Sequence, residues 1–97
     1  MKTRARTILS LKILLSLGSM MSAAMAREFG GYECTLDCSG HKAGYEWAEQ
    51  EGVIRVSQCN AILRRYPNRR SFYEGCLVYL EDPDRGADED DDGDEID

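Results

Sequence analysis

The sequence predicts a small, mostly α-helical protein in which two to three short helices are stapled by two disulfides and followed by a disordered acidic C-terminal tail. Three observations lead there. An export-type leader precedes an even set of four cysteines, Cys34, Cys38, Cys59 and Cys76. Apolar residues between Ser39 and Leu80 recur at helical spacing. Past Leu80 the chain holds 11 of its 18 acids and one base, Arg85.

The leader comes first. Met1–Arg6 is basic, Ile13–Met21 is an apolar run, and Ala24-Met25-Ala26 puts small residues at the two positions a signal peptidase inspects. Lys12 interrupts the apolar region, and the uninterrupted run after it is far shorter than the roughly 20 residues of a spanning helix. The expected organisation is a signal peptide over residues 1–26, a disulfide-stabilised helical domain over 27–82 and a disordered acidic tail over 83–97. The mature chain would start at Arg27, without a membrane attachment, in a secreted or periplasmic location.

Removing the leader changes the charge. Residues 1–26 carry four bases and no acid, which leaves eight bases against 18 acids and moves the net charge from −6 to −10. The excess sits at the end, because residues 27–80 hold seven acids and seven bases. A 97-residue chain of this composition excludes a multidomain enzyme and a large core, and it lacks the basic balance of a nucleic-acid-binding domain.

Between Ser39 and Gly52 a first helix is expected, with Ser39 as N-cap and Gly52 beyond its end. Gly40, Gly44 and Ala48 form a ridge without bulk, and because glycine costs about 1 kcal/mol in a helix interior, the ridge points to another segment packed close against it. His41, Tyr45 and Glu49, spaced by four, read as the wet face of this helix, with recognition as an alternative use. Val53-Ile54-Arg55-Val56 is too brief for a sheet and reads as a connector.

A second helix is expected over Ser57–Tyr66, where Cys59, Ile62, Leu63 and Tyr66 share one face and Pro67 ends the run. The third starts at Ser71 with Glu74 three residues on, a capping-box arrangement, and buries Phe72, Tyr73, Cys76, Leu77 and Leu80 until Asp82-Pro83 stops it. Beyond Pro83, Ile96 is the one branched apolar residue, so the tail is expected to stay unfolded and solvated.

In an exported chain of this size, four cysteines imply two disulfides. Three pairings are open. The expectation leans to Cys38–Cys59 with Cys34–Cys76, because a Cys34–Cys38 bridge closes only a tiny loop and restricts the unfolded chain little.

The stretch from Cys34 to Ala48 has the pattern C-x3-C-S-G-H-x-A-G-Y-x-W-A, and Ser71-Phe72-Tyr73-Glu74-Gly75-Cys76 lies downstream of it. Together these resemble a group of uncharacterised small exported bacterial proteins, over roughly residues 32–50 and 71–80. The resemblance implies export and a shared cysteine framework, and no reaction chemistry. The tail and the Arg-rich turn lie outside it.

Sources of chemistry are few. Cys34, Cys38 and His41 have a loose metal-ligand spacing, but oxidation of the cysteines competes with it. Asp88, Asp90, Asp92 and Gly93 match the opening of a calcium loop, yet the bidentate Glu would fall past residue 97, so only weak Ca²⁺ binding by the tail is expected. One histidine and no C-x-x-C motif leave catalysis without a framework, so no enzyme activity and no cofactor are expected. The remaining candidate is the cluster Arg64, Arg65, Arg69 and Arg70, a basic turn able to grip an anionic group or an acidic protein. Two readings are open for the tail, which is tethered within reach: it folds back transiently over this turn, or the two stay independent solvated charges, the reading that screening over roughly 8–10 Å favours. The functional expectation is therefore a non-enzymatic interaction module with an unknown protein or anionic partner and no specific nucleic acid. The alternative is a divalent-cation-binding protein acting through its tail.

Overall fold

The computed structural model describes residues 26–97. The expected signal peptide, residues 1–26, lies almost entirely outside them. A minimal antiparallel hairpin, β1 (Glu28–Phe29) and β2 (Tyr32–Glu33), precedes three helices, α1 (Ser39–Glu51), α2 (Val56–Arg65) and α3 (Arg70–Glu81). The mostly helical fold with two disulfides is thus present, and each helix lies within about a residue of its expected range. Among the described residues no helix is long and apolar enough to cross a membrane.

The hairpin is an addition to the sequence reading. Gly30 and Gly31 both take positive φ, 60° and 86°, the requirement of a two-residue hairpin turn whose twist matches the strands. Phe29-Gly30-Gly31-Tyr32 carried that signal. At the other end of α1, Gly52 is left-handed at φ 66°. Its N–H donates to the Glu49 carbonyl and that of Val53 to the Ala48 carbonyl, the paired bonds of a Schellman terminus, and Val53 is buried beside Ala48.

Two expected caps differ. Cys38, not Ser39, occupies the cap of α1, while the Asp37 carboxylate accepts from the Ser39 N–H and hydroxyl at 3.0 and 2.6 Å. The Ser71–Glu74 box does not form, because α3 starts a residue earlier and Glu74 turns towards His41 and Arg70. The reciprocal role falls to Gln58, whose side-chain oxygen accepts from the N–H groups of Ile54 and Arg55 at the start of α2.

The small ridge of α1 does what its composition implies. α3 packs against both α1 and α2, and a methyl group placed on Gly44 would overlap the Phe72 carbonyl oxygen, just as one on Gly75 would overlap the His41 carbonyl. Backbone meets backbone there, so neither side can yield by changing a rotamer. Gly44→Ala gains about 1 kcal/mol of helix propensity but forces overpacking that costs roughly 1–3 kcal/mol or more where backbone must move. A lower urea midpoint than wild type is the expected result, and an unchanged or raised midpoint would show that the helices are not in this close contact.

The disulfides are Cys34–Cys38 and Cys59–Cys76, which corrects the pairing expected from loop length. The reason is positional. Cys34 comes just after the hairpin and Cys38 caps α1, which leaves them neighbours across one loop, whereas Cys59 of α2 and Cys76 of α3 face each other across a helix pair. Two buried clusters result. One unites Phe29, Cys34, Cys38, Tyr45 and Val78 with Ala87 and Ile96; the other gathers Ala48, Val53, Ile62, Cys59 and Cys76 under Trp47, Phe72 and Leu80.

Candidate interaction site

The placement of the C-terminal segment decides which cations remain available at the surface. It is ordered, contrary to the disorder expected for residues 83–97. Ile96 is 2 % exposed and Ala87 5 %, both in the first core cluster, and the Ile96 N–H donates to the Asp88 carbonyl at 2.8 Å to close the loop. Composition misleads here because two apolar side chains suffice to anchor a short segment when cations absorb its charge.

Three cations do so. The Arg27 guanidinium donates to Asp90 at 2.7 Å and to the Glu95 carbonyl at 3.1 Å. Lys42 donates to the Ile96 carbonyl at 3.1 Å. Arg85 lies 3.9 Å above the Phe29 ring and donates to Asp91 and to the Glu89 carbonyl. Asp91 in turn accepts from the Gly30 and Gly31 N–H groups at the hairpin tip, at 2.7 and 2.8 Å. The buried Tyr45 hydroxyl ties the segment to the end of α3, donating to the Asp82 carbonyl and accepting from the Gly86 N–H.

The Arg27 hydrogen bond, helped by the Asp94 and Asp92 N–H groups, holds the Asp90 carboxyl below the ordinary carboxylate range. A depressed folded-state pKa contributes stability that is complete above the unfolded value and is lost as pH falls through the folded one. The segment should therefore stay docked at neutral pH and detach below the ordinary carboxylate range, read as loss of the Ile96 methyl contacts in NMR spectra. Arg27→Ala should move detachment to higher pH; an identical profile in the variant would remove Asp90 from this role.

The expected calcium-type residues are not assembled as ligands. Asp90 spends its oxygens on Arg27 and on the N–H groups of Asp92 and Asp94, while the Asp88 side chain is 91 % exposed and Asp92 is also on the surface. Among the described residues no three His, Cys, Asp or Glu side chains come together to hold a metal ion. Cys34 and Cys38 are bonded to each other, which takes them from any zinc set. His41, expected on a wet face with Tyr45 and Glu49, is instead fully buried, as is Tyr45, while Glu49 is exposed. The face was misassigned because the hairpin and the C-terminal segment cover this side of α1. His41 Nε2 lies 2.9 Å from Glu74 Oε1, a bridge that helps to orient α1 against α3.

The arginines are elsewhere. The tail does not fold over Arg64, Arg65, Arg69 and Arg70, because its anchors are Arg27, Lys42 and Arg85. All four arginines are exposed where α2 turns into α3, and Arg70 pairs with Glu74 at 3.3 Å. Beside them opens a cleft of about 260 Å³ lined by Trp47, Ile62, Tyr66, Arg69 and Phe72. Ile62 is the buried floor, Trp47 and Phe72 are tilted against each other with centroids 5.7 Å apart, and Tyr66 remains 50 % exposed. Arg65 and Arg69 lie over the Tyr66 ring at 5.8 and 5.4 Å, and Arg69 also over Phe72 at 5.7 Å. Sequence reasoning found the arginines but not the cleft, which takes residues from all three helices. No protein-family model matches the chain, and neither a curated protein nor a solved structure is significantly similar to it.

Proposed function

We propose that this protein is a small exported, non-enzymatic interaction module whose contact face is the arginine and aromatic corner between α2 and α3. The supporting observation is the placement of charge. Of the eight bases in residues 27–97, four are exposed at the turn from α2 to α3; Arg69 lines the partly apolar cleft there and Arg65 stacks on its Tyr66, and of the four only Arg70 has a carboxylate partner among the described residues, Glu74. Partly exposed aromatics beside stacked guanidinium groups are the composition enriched in protein-binding hot spots. Export is supported by the leader pattern, by two disulfides and by the resemblance to small exported bacterial proteins.

The test pairs a mass measurement with capture from the compartment where the protein accumulates. The secreted species should begin at Arg27 and lack four hydrogens. Wild-type protein should retain a partner that a variant with Arg64, Arg65, Arg69 and Arg70 all changed to Ser does not. A partner retained equally by both would move the contact face elsewhere, and recovery of none would count against the module reading.

A further inference from the structure

We infer that the corner recognises a short acidic protein segment bearing one aromatic or branched apolar anchor, with the anchor in the cleft and a flanking carboxylate on Arg69. This rests on the interaction-module reading and names the chemistry of its partner. The shape argues for a chain segment. A second hollow of about 320 Å³, lined by Gly40, Ala43, Asn68 and Ser71, adjoins the first, with Arg69 and Phe72 lining both. From Trp47 to Gly40 the two hollows lie along seven residues of α1, about 10 Å of helix axis, the span of about three extended residues.

Charge and stacking supply the rest. Arg69, over both Tyr66 and Phe72, has its guanidinium plane partly oriented, which lowers the ordering cost of a bidentate carboxylate contact. Among the described residues Arg64, Arg65 and Arg69 have no carboxylate partner within salt-bridge distance. The protein's own acidic segment is held on another face. A long polyanion would meet the repulsion of a mature charge of −10 and has no side chain for the cleft. A short segment interacts mainly within the screening distance of about 8 Å, where the arginines dominate.

Trp47 is the one tryptophan of the chain and lines the cleft, so its fluorescence reports occupancy. The mature protein would be titrated with a peptide carrying one Phe between Asp and Glu residues, with the same peptide having Ser for Phe, and with polyglutamate. The Phe peptide should change Trp47 emission and bind about tenfold tighter than the Ser peptide. Arg69→Ser should weaken it about tenfold, and Arg69→Lys, which keeps charge but not the planar fork, should fall between. Circular dichroism of both variants checks that they fold.

Equal binding of the Ser peptide or of polyglutamate would reduce the corner to a non-selective anion patch and overturn the inference. So would silence of Trp47 towards all three probes at millimolar concentration. Among the exposed branched apolar residues of a second copy, Leu36, Ile54 and Val56, Leu36 alone stands beside an acid, Asp37. A concentration-dependent Trp47 shift without peptide, abolished by Leu36→Ser, would make the occupant a second copy and overturn the foreign segment. If the probes fail while partner capture still depends on the arginines, only this inference falls; if capture fails as well, the module reading falls with it.

Discussion

Deletion of residues 83–97 is expected to unfold the domain, not to trim it. The segment contributes Ile96 and Ala87 to the cluster that covers Phe29, Tyr45 and Val78, and its loss takes away the Asp90 acceptor of Arg27 and, with Arg85 itself, the cation over Phe29. A narrower variant isolates the apolar part. Ile96→Ala should cost about 2–5 kcal/mol, the range for emptying a buried branched site. A domain this small has about 5 kcal/mol to lose, so the full deletion should abolish the cooperative thermal transition measured by circular dichroism. A truncated chain that melts like the intact one would show the segment to be the solvated tail its composition suggested.

The second large effect separates the two bridges. Cys59–Cys76 spans 17 residues and Cys34–Cys38 spans four; loop-closure entropy assigns them about 3 and about 2 kcal/mol. Packing widens the gap. Cys59 and Cys76 are both fully buried between α2 and α3, a pair of helices with few other shared buried side chains, so changing both to Ala also empties volume. That double variant should lose α2 and, with it, the cleft, seen as altered Trp47 emission and a much lower urea midpoint. The Cys34→Ala/Cys38→Ala variant should remain folded at room temperature with a smaller loss. Equal losses in the two variants, or a larger loss at Cys34 and Cys38, would contradict this division of labour.

Local pattern was a good guide where the signal and its effect share one stretch of chain. Helix positions came from spacing and from Gly52 and Pro67, because those signals act within one turn. The close approach of α1 was legible in Gly44 for the same reason: a costly residue type needs a neighbour to justify it. The disulfide pairing was not legible, since loop length ranks pairings by their effect on the unfolded chain, whereas the native bonds depend on which sulfurs the packed helices bring together. Nor was the choice of partner for each charge. Arg27 stands alone in sequence and reaches Asp90 only because the hairpin and the last residues share one side of the domain.

Composition and periodicity by themselves determined the helical class, the helix limits, the cysteine-stapled character and the arginine cluster. Tertiary structure alone decided that the acidic end is folded, that Cys34 meets Cys38, that His41 is inside and that the arginines border an aromatic cleft. The physical reason is range. Propensity, capping and amphipathic spacing are set within a few residues, but a charge or a cysteine is satisfied by whatever stands within a few ångströms of it, and for Asp90, Cys59 and Trp47 that neighbour comes from a distant part of the chain.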